Sequence, residues 1–475
     1  MSQLDEFRAL REEFDFEPTR DQIIAMQHLA AFAMSEKPNP LYLLMGYAGT
    51  GKTSLISAFT SRLLKKSVKF VLMAPTGRAA KVLRQYTGFQ AYTIHRRIYM
   101  TTMTADGRRK MTLAPNRMEN TVFIVDEASM ISDNPVGSSG FQGQGLLDDL
   151  IHFVFSRPGN KLLLVGDTAQ LPPVQLNISP ALDIDYLKSA YSLTAFAFEM
   201  KEVMRQAQNS GILLSATRLR HKISSGDLSL PFFKEKEFMA DVEIITDYYR
   251  LEELLQLAFS GFRQSDSIVI TRSNKSANHF NKQIRNNIQQ RESVLEAGDQ
   301  IMVVKNNYFW LDIHSKAGFI ANGDIAEILR LTGEEELYGF HFTDAEIRLV
   351  DYPEEKEMSV KLLLETLDAN APSLTEEEQR NLFDEVEKDY QYIPNRKKRI
   401  AAMQKDPYFN ALQIKYAYAM TCHKTQGGQW AHVFIDQGYI NTEQLDVEYL
   451  RWLYTAFTRA TEKVYLLGFR ELFFE

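Results

Sequence analysis

Short apolar runs recur along the first third of the chain, each ending abruptly in glycine or polar residues: Leu41 to Met45, Val68 to Met73, Thr121 to Val125 and Leu162 to Val165. Runs of this length without alternation predict strands buried on both faces, as in a parallel sheet. Between the first two, Leu55, Ile56, Phe59 and Leu63 fall on one helical face. Strand followed by helix predicts an α/β domain whose ligands bind at the carboxyl ends of the strands. The pattern returns at Ser267, with Ile268 to Ile270 and then a helix carrying Phe280, Ile284 and Ile288. Ile414 to Met420, Val433 to Ile435 and Val464 to Leu467 complete it as later strands.

Two segments break the rhythm. From Arg97 to Thr112, polar and apolar residues alternate around Asp106-Gly107, a favoured hairpin turn. From about Gln300 to Asn410 a strand-like start at Ile301 to Val304 passes the Asn322-Gly323 turn and the acidic Glu334, Glu335 and Glu336. A charged helical stretch, Glu376 to Glu387, and the basic Arg396 to Arg399 follow. The predicted fold class is therefore α/β with two parallel-sheet domains. The first comprises 1–96 and 119–200, broken by a hairpin at 97–118. The second comprises 201–299 and 411–475, broken by a small β-domain with a helical extension at 300–410.

Composition narrows the classes. A chain of 475 residues, 45% hydrophobic and 24% charged, is globular and large enough for several cores. No apolar run approaches eighteen residues, so no membrane span is expected, and the polar stretch Met1 to Glu13 is unlike a secretory signal. A single cysteine, Cys422, forms no disulfide within the chain and suits a reducing compartment, so a cytoplasmic location is expected. No Cys/His cluster has zinc-finger spacing. Net charge is −7, yet between Thr76 and Met118 nine bases accompany one acid, Asp106. Where charge sits matters more for a polyanionic partner than the total.

The most specific chemistry lies at Gly46-Tyr-Ala-Gly49-Thr-Gly51-Lys52-Thr53, which fits the phosphate-loop pattern. Glycines let backbone N–H groups turn inward around phosphate oxygens, and the following helix points its positive end at the anion. Gly46, Ala48, Gly49, Thr50, Gly51, Lys52, Thr53 and Ser54 are thus candidate ATP-binding residues. Lys52 reaches the β- and γ-phosphates in this reading, and the Thr53 hydroxyl ligates Mg²⁺. Asp126-Glu127 closes the strand Val122 to Val125. An acid there suits Mg²⁺, and a second beside it suits activation of the attacking water, which gives Asp126 the metal and Glu127 the base role. Gln170, in Gly166-Asp-Thr-Ala-Gln170, is a candidate for sensing the γ-phosphate. The expected cofactors are ATP and Mg²⁺.

Taken in order, these segments resemble superfamily 1 helicases, above all the RecD-like and Dda-like branch. Pro18-Thr-Arg-Asp-Gln22 resembles the adenine-reading motif of that family. Ala74-Pro-Thr-Gly-Arg78-Ala-Ala-Lys81 and Thr93-Ile-His95 resemble its first DNA-contacting motifs. Val125-Asp-Glu-Ala-Ser-Met130 and Gly166-Asp-Thr-Ala-Gln-Leu-Pro-Pro-Val174 resemble its second and third ATPase motifs. Val203-Met-Arg205-Gln206, Met420-Thr-Cys-His-Lys-Thr-Gln-Gly427-Gly428 and Leu453-Tyr-Thr-Ala-Phe-Thr-Arg459-Ala are similar to later ones, and Asn306-Asn-Tyr308 and Asn322-Gly-Asp324 to accessory-domain signatures. The likeness runs from about Phe16 to Gly468. Gln429 departs from it, standing where relatives often carry an acid. The stretches Phe309 to Ala321 and Phe141 to Asp149 look longer than the pattern requires.

The resemblance implies two RecA-like motor domains sharing one ATP, a hairpin pin in the first and an SH3-like insertion in the second. It assigns Arg205 and Arg459 to the transition state, Gln22 and Gly428 to nucleotide binding, and 5′ to 3′ as the direction of travel. Thr76, Arg78, Lys81, Thr93 and His95 in the first motor, with Thr421, His423 and Lys424 in the second, become two grips on one DNA strand. Tyr92, Tyr308 and Trp310 are stacking candidates. The implied partners are single-stranded DNA and single-strand/duplex junctions, with no membrane. Replication or repair proteins of unknown identity are further candidate partners, DNA repair and recombination the candidate settings, and the motor is expected to be monomeric. Two other readings use the same motifs: a translocase that strips proteins from DNA without unwinding it, and a binding module with a dead ATPase. The intact set Lys52, Thr53, Asp126, Glu127, Arg205 and Arg459 argues against the second.

Overall fold

The structure is a computed structural model that describes residues 2–103, 109–133, 145–203, 210–238, 240–260, 266–311, 315, 319–352, 354–440 and 445–474, with the backbone alone at 101–103 and 109–111. Six parallel strands make the first sheet, in the order Ala91–Thr93, Lys69–Ala74, Thr121–Val125, Lys161–Gly166, Pro40–Gly46 and Thr194–Met200. The four apolar runs of the sequence are its four inner strands. Each is buried on both faces: Leu44, Leu72 and Ile124 pack with Leu55 and Phe59 on one side, and Leu43, Met73 and Phe123 with Leu147 on the other. The edge strand Thr194–Met200 escaped the sequence reading because it alternates small and large residues. Its Phe196 stacks on Tyr42 at 4.7 Å.

The second sheet is also parallel, in the order Ala419–Thr421, Ser267–Thr271, Trp430–Asp436, Ala460–Leu467 and Val242–Ile245. Between its strands the chain leaves to build a closed five-stranded barrel from Gln300–Val303, Ile325–Leu337, Phe340–Leu349, Met358–Leu363 and Leu412–Tyr416. The helices Glu376–Asp389 and Arg396–Met403 pack on the barrel through Leu382, Val386 and Met403. The first starts at a capping box in which Thr375 and Glu378 satisfy each other's backbone N–H groups.

Three expectations are corrected. The run Ile414 to Met420 is two strands in two sheets: the barrel takes Leu412–Tyr416, beyond the expected limit at 410, and the second sheet takes Ala419–Thr421. Continuous apolar character cannot show where a chain passes from one core to the next. Arg97 belongs to the helix Ile94–Ile98, so the antiparallel pair starts later, as Tyr99–Met103 against Arg109–Leu113. Its Asp106-Gly107 turn lies outside the described residues. The helix carrying Phe280 is α-helical over Asn274–Gln283 and widens into a π-turn at Ile284–Ile288.

Candidate active site and strand interface

The first sheet brings its chemistry to one edge. Met45 pairs with Gly166 and Met73 with Val125, so the phosphate loop, Thr76, Asp126 and Asp167 all follow strands that end together. Gly49 and Gly51 have φ of 77° and 84°, a left-handed backbone that glycine adopts without steric cost. The Lys52 ammonium donates to the carbonyls of Gly46 at 2.5 Å and Tyr47 at 3.0 Å, across the loop's own mouth. Gln22 is buried. Its amide donates to Thr50 O at 3.0 Å and accepts from Thr19 N at 2.9 Å, so here it braces the loop.

Burial, with Glu127 beside it, pushes the Asp126 carboxyl up to about 7. A divalent cation would reverse that balance by favouring the ionised form, so Asp126 and Thr53 fit the Mg²⁺ that the loop implies. Glu127 follows in a left-handed conformation, φ 54°. Gln170 is buried, and its Oε1 has no hydrogen-bond partner among the described residues, which suits an amide that meets a ligand or water. Among the described residues there is no cluster of three or more metal-ligating side chains, and no helix is long and apolar enough to cross a membrane.

The second half of the chain closes over this edge. The Tyr454 hydroxyl accepts from Ala48 N at 2.8 Å and donates to Asp167 Oδ2 at 2.6 Å. Leu171 N donates to Thr455 Oγ1 at 2.9 Å, and Gln426 Nε2 donates to Leu171 O at 2.6 Å. Arg220 lays its guanidinium 4.4 Å from the centre of the Tyr47 ring. Sequence reasoning missed both Tyr454 and Arg220. Tyr454 was visible as a polar-tipped residue five positions before Arg459, while Arg220 gave no signal. Arg459 is buried and bonds Thr455 O, Gly428 O and Thr458 Oγ1; among the described residues no hydrogen bond or ion pair joins it to residues 46–53. Gly428, expected at the nucleotide, packs between Trp430 and Arg78, where a Cβ would lie 2.4 Å and 2.6 Å from their side chains. Arg205 lies outside the described residues.

Several of the expected strand grips are engaged by the barrel. Arg78 lies 4.5 Å over the Trp430 ring and 3.7 Å from the Asp351 carboxylate. Lys81 reaches Val350 O at 3.3 Å and Asp351 at 3.5 Å, and Arg84 pairs with Glu354 at 3.2 Å. Lys424 donates to Asn322 Oδ1 at 2.6 Å, and burial lowers the pKa of its ammonium. Thr76 and Thr93 cap the starts of their helices through Ala79 N and Arg96 N. His95, pushed down to about 4 by burial, packs by Tyr99 and Phe319; Tyr308 packs on Phe319 at 4.9 Å. Tyr92 lies under Arg96 and Arg97, and Trp310 donates to Asn410 O. Thr421 precedes the short helix Cys422–Thr425. His423, also shifted down by burial, lines a cleft of about 470 Å³ with Pro172, Pro173, Val174, Glu448 and Arg451. A second cleft, about 620 Å³, separates the barrel from its helices. Of its amides, Asn307, Gln379, Asn410 and Gln413 are hydrogen-bonded within the protein, while the buried Gln404 Oε1 has no partner among the described residues.

Known proteins match both halves of the chain in sequence. Residues 21–240 match the family model of an AAA domain, and residues 416–467 that of a UvrD-like helicase C-terminal domain. The ATP-dependent RecD2 DNA helicase of Deinococcus radiodurans is 34% identical over 181 residues, 38% of this chain and 22% of that protein. The ATP-dependent DNA helicase dda of Enterobacteria phage T4 is 24% identical over 278 residues, 57% of each chain. The chain thus spans about a fifth of the first relative and little more than half of the second. A solved Pif1 helicase from Bacteroides, in complex with ADP-AlF3 and ssDNA, covers 96% of this chain and 94% of its own at 15% identity, with a TM-score of 0.49. Both halves of the chain are thus similar to superfamily 1 helicases, among them members of the RecD-like and Dda-like branch.

Proposed function

We propose that the chain is an ATP-driven DNA helicase that travels along single-stranded DNA, 5′ to 3′, and parts duplex ahead of it. The observation that carries this reading is a phosphate loop whose far wall comes from the second half of the chain, through Tyr454, Thr455 and Gln426. Hydrolysis in such a cleft couples to the relative position of the two halves. In this reading the backbone of Gly49 to Thr53 holds phosphate, Lys52 neutralises its charge, and Glu127 takes the proton of the attacking water. Mg²⁺, held by Asp126 and Thr53, would neutralise phosphate charge as it develops. Arg205 and Arg459 act in the transition state, and Gln170 orients water or the γ-phosphate.

The strand lies across the grips Thr76, Arg78, Lys81, Thr93 and His95 on the first half and Thr421, His423 and Lys424 on the second. The prolines at 172 and 173 and the His423 ring offer faces for bases. Cations now held by Asp351 and Asn322 exchange those partners for phosphates. The hairpin from Tyr99 to Leu113 is the wedge, and the barrel is the SH3-like accessory domain.

The test is unwinding of matched duplexes that carry either a 5′ or a 3′ single-stranded tail, with ATP hydrolysis measured alongside. ATP-dependent unwinding of the 5′-tailed duplex alone is expected. Unwinding from the 3′ tail would reverse the polarity. DNA-stimulated hydrolysis with protein displacement and no unwinding would make the chain a translocase.

A further inference from the structure

Arg220 stands on the helix Gly211–Ser225 and is 8% exposed. One N–H donates to Lys201 O at 3.2 Å and another meets His221 Nε2 at 3.5 Å, while the guanidinium plane faces the ring of Tyr47. Among the described residues no carboxylate lies within 4 Å of it. A guanidinium has five N–H donors and cannot shed its charge, so donors remain to be used. Burying such a charge without a counter-charge is costly.

The chain treats its other buried arginines differently. Arg285 is met by Asp299 on two sides, Nε and Nη2 each at 3.0 Å. Arg459 spends its donors on oxygens of its own segment and of Gly428. Arg220 is therefore a buried cation placed against the phosphate loop with its anion unassigned.

Its neighbours say which part of a ligand it meets. Tyr47 and Ala48 open the loop, ahead of the Gly49 to Thr53 turn that cradles phosphate. Ala48 N–H points to the Tyr454 hydroxyl, which also holds Asp167 at the end of the neighbouring strand. The charge of Arg220 acts on that same hydroxyl. This corner lies between the loop's opening and the strand end that leads to Gln170, the candidate γ-phosphate residue, and in the nucleotide reading it falls to the terminal phosphate.

We propose that Arg220 binds the terminal phosphate of a nucleoside triphosphate held on the loop, and so distinguishes triphosphate from diphosphate. The inference rests on the nucleotide reading given above. Arginine suits the task because its planar fork offers two parallel N–H groups to a phosphate edge.

The test is equilibrium binding of AMP-PNP and of ADP, each with Mg²⁺, to the full chain and to Arg220→Gln and Arg220→Lys. Loss of one charge-assisted contact is expected to weaken AMP-PNP binding by about tenfold or more while ADP changes by less than about threefold. Arg220→Lys, which keeps the charge but not the fork, is expected to fall between the parent and Arg220→Gln. Equal losses for both nucleotides would make Arg220 a brace for Tyr47 and Lys201, and unchanged affinities would leave it without a ligand role; either result overturns the proposal. If Arg220→Gln does not fold, Arg220→Lys decides on the same selectivity. A parent that binds neither nucleotide would instead bring down the nucleotide reading itself.

Discussion

The two parallel sheets share an architecture and differ in what their loops carry. In the first, strand ends release a glycine-rich loop, an acidic pair and Asp167, so one edge gathers the residues proposed to hold phosphate. In the second, the strand ends at Thr271, Thr421 and Asp436 hold no such loop, and their neighbours contribute side chains that reach across: Tyr454 to Ala48 and Asp167, Thr455 and Gln426 to Leu171, Arg220 to Tyr47. A shared fold does not entail a shared role, because function resides in the groups mounted on it. In the proposed motor, one sheet supplies the pocket and the other supplies side chains that contact its rim.

That contrast can be broken most directly at Lys52. Lys52→Ala is expected to reduce DNA-stimulated ATP turnover to background, a loss of more than about 10³-fold. Nucleotide-free DNA binding, measured by fluorescence anisotropy, should stay near the parent value. Turnover that survives would mean that the first sheet does not hold the reacting phosphate. Arg459→Ala tests the other half: a loss on the order of 10³-fold in turnover with little change in DNA affinity is expected. Equal losses in both would make Arg459 a strand contact, and the division of labour would fail.

Smaller effects sharpen the picture. Tyr454→Phe removes the hydroxyl that joins the halves and takes their partner from Asp167 Oδ2 and Ala48 N–H, while Ala169 N still donates to Asp167 Oδ1. Leaving buried groups unpaired costs about 1–3 kcal/mol, so turnover is expected to fall about tenfold and Tm to drop; a variant with both unchanged would show that the bridge carries no coupling. The smallest effect concerns Asp324 in the barrel, which is buried and whose carboxyl is pushed up to about 7 by desolvation and by Asp351. The folded chain therefore keeps a proton that the unfolded chain releases near pH 4. The stability this supplies is fully present below about pH 4 and is lost as pH rises through 7. Asp324→Asn keeps an acceptor for Ala321 N and never ionises. Its Tm should gain on the parent between pH 5 and pH 8 by on the order of a few degrees. Parallel Tm profiles would show that Asp324 stays ionised throughout.

The sequence was most informative where chemistry and backbone demand coincide. The phosphate loop needs left-handed positions at Gly49 and Gly51, so its glycines announce it, and the apolar runs of the inner strands are legible because both faces are buried. Contacts made by tertiary packing left no such trace. Asp351 lies 270 positions from Lys81, and no local pattern pairs a barrel acid with the cations of the helix Gly77–Thr87. Arg220 sits in an ordinary amphipathic helix and differs from any surface arginine only in what packs over it. Gly428 carries a motif likeness to nucleotide sites, yet its lack of a side chain is used here for close approach by Arg78 and Trp430.

The passage from barrel to second sheet is made by two residues, Ala417 and Tyr418. Tyr418 is fully buried. Asn281 Oδ1 accepts from both Tyr418 N and Ala419 N, and the Tyr418 hydroxyl donates to Asp299 at 2.8 Å. Mechanically this is a weld and not a hinge: so short and so fully bonded a link has no torsion to spare. A rotation of the second sheet would swing the barrel with it as a single lever. The displacement would be taken up at the seam where Asp351 and Glu354 face Arg78, Lys81 and Arg84. In the proposed motor, that seam would slip in the stroke that opens or shuts the cleft, so the three cations along it would be bared or covered in step with the nucleotide.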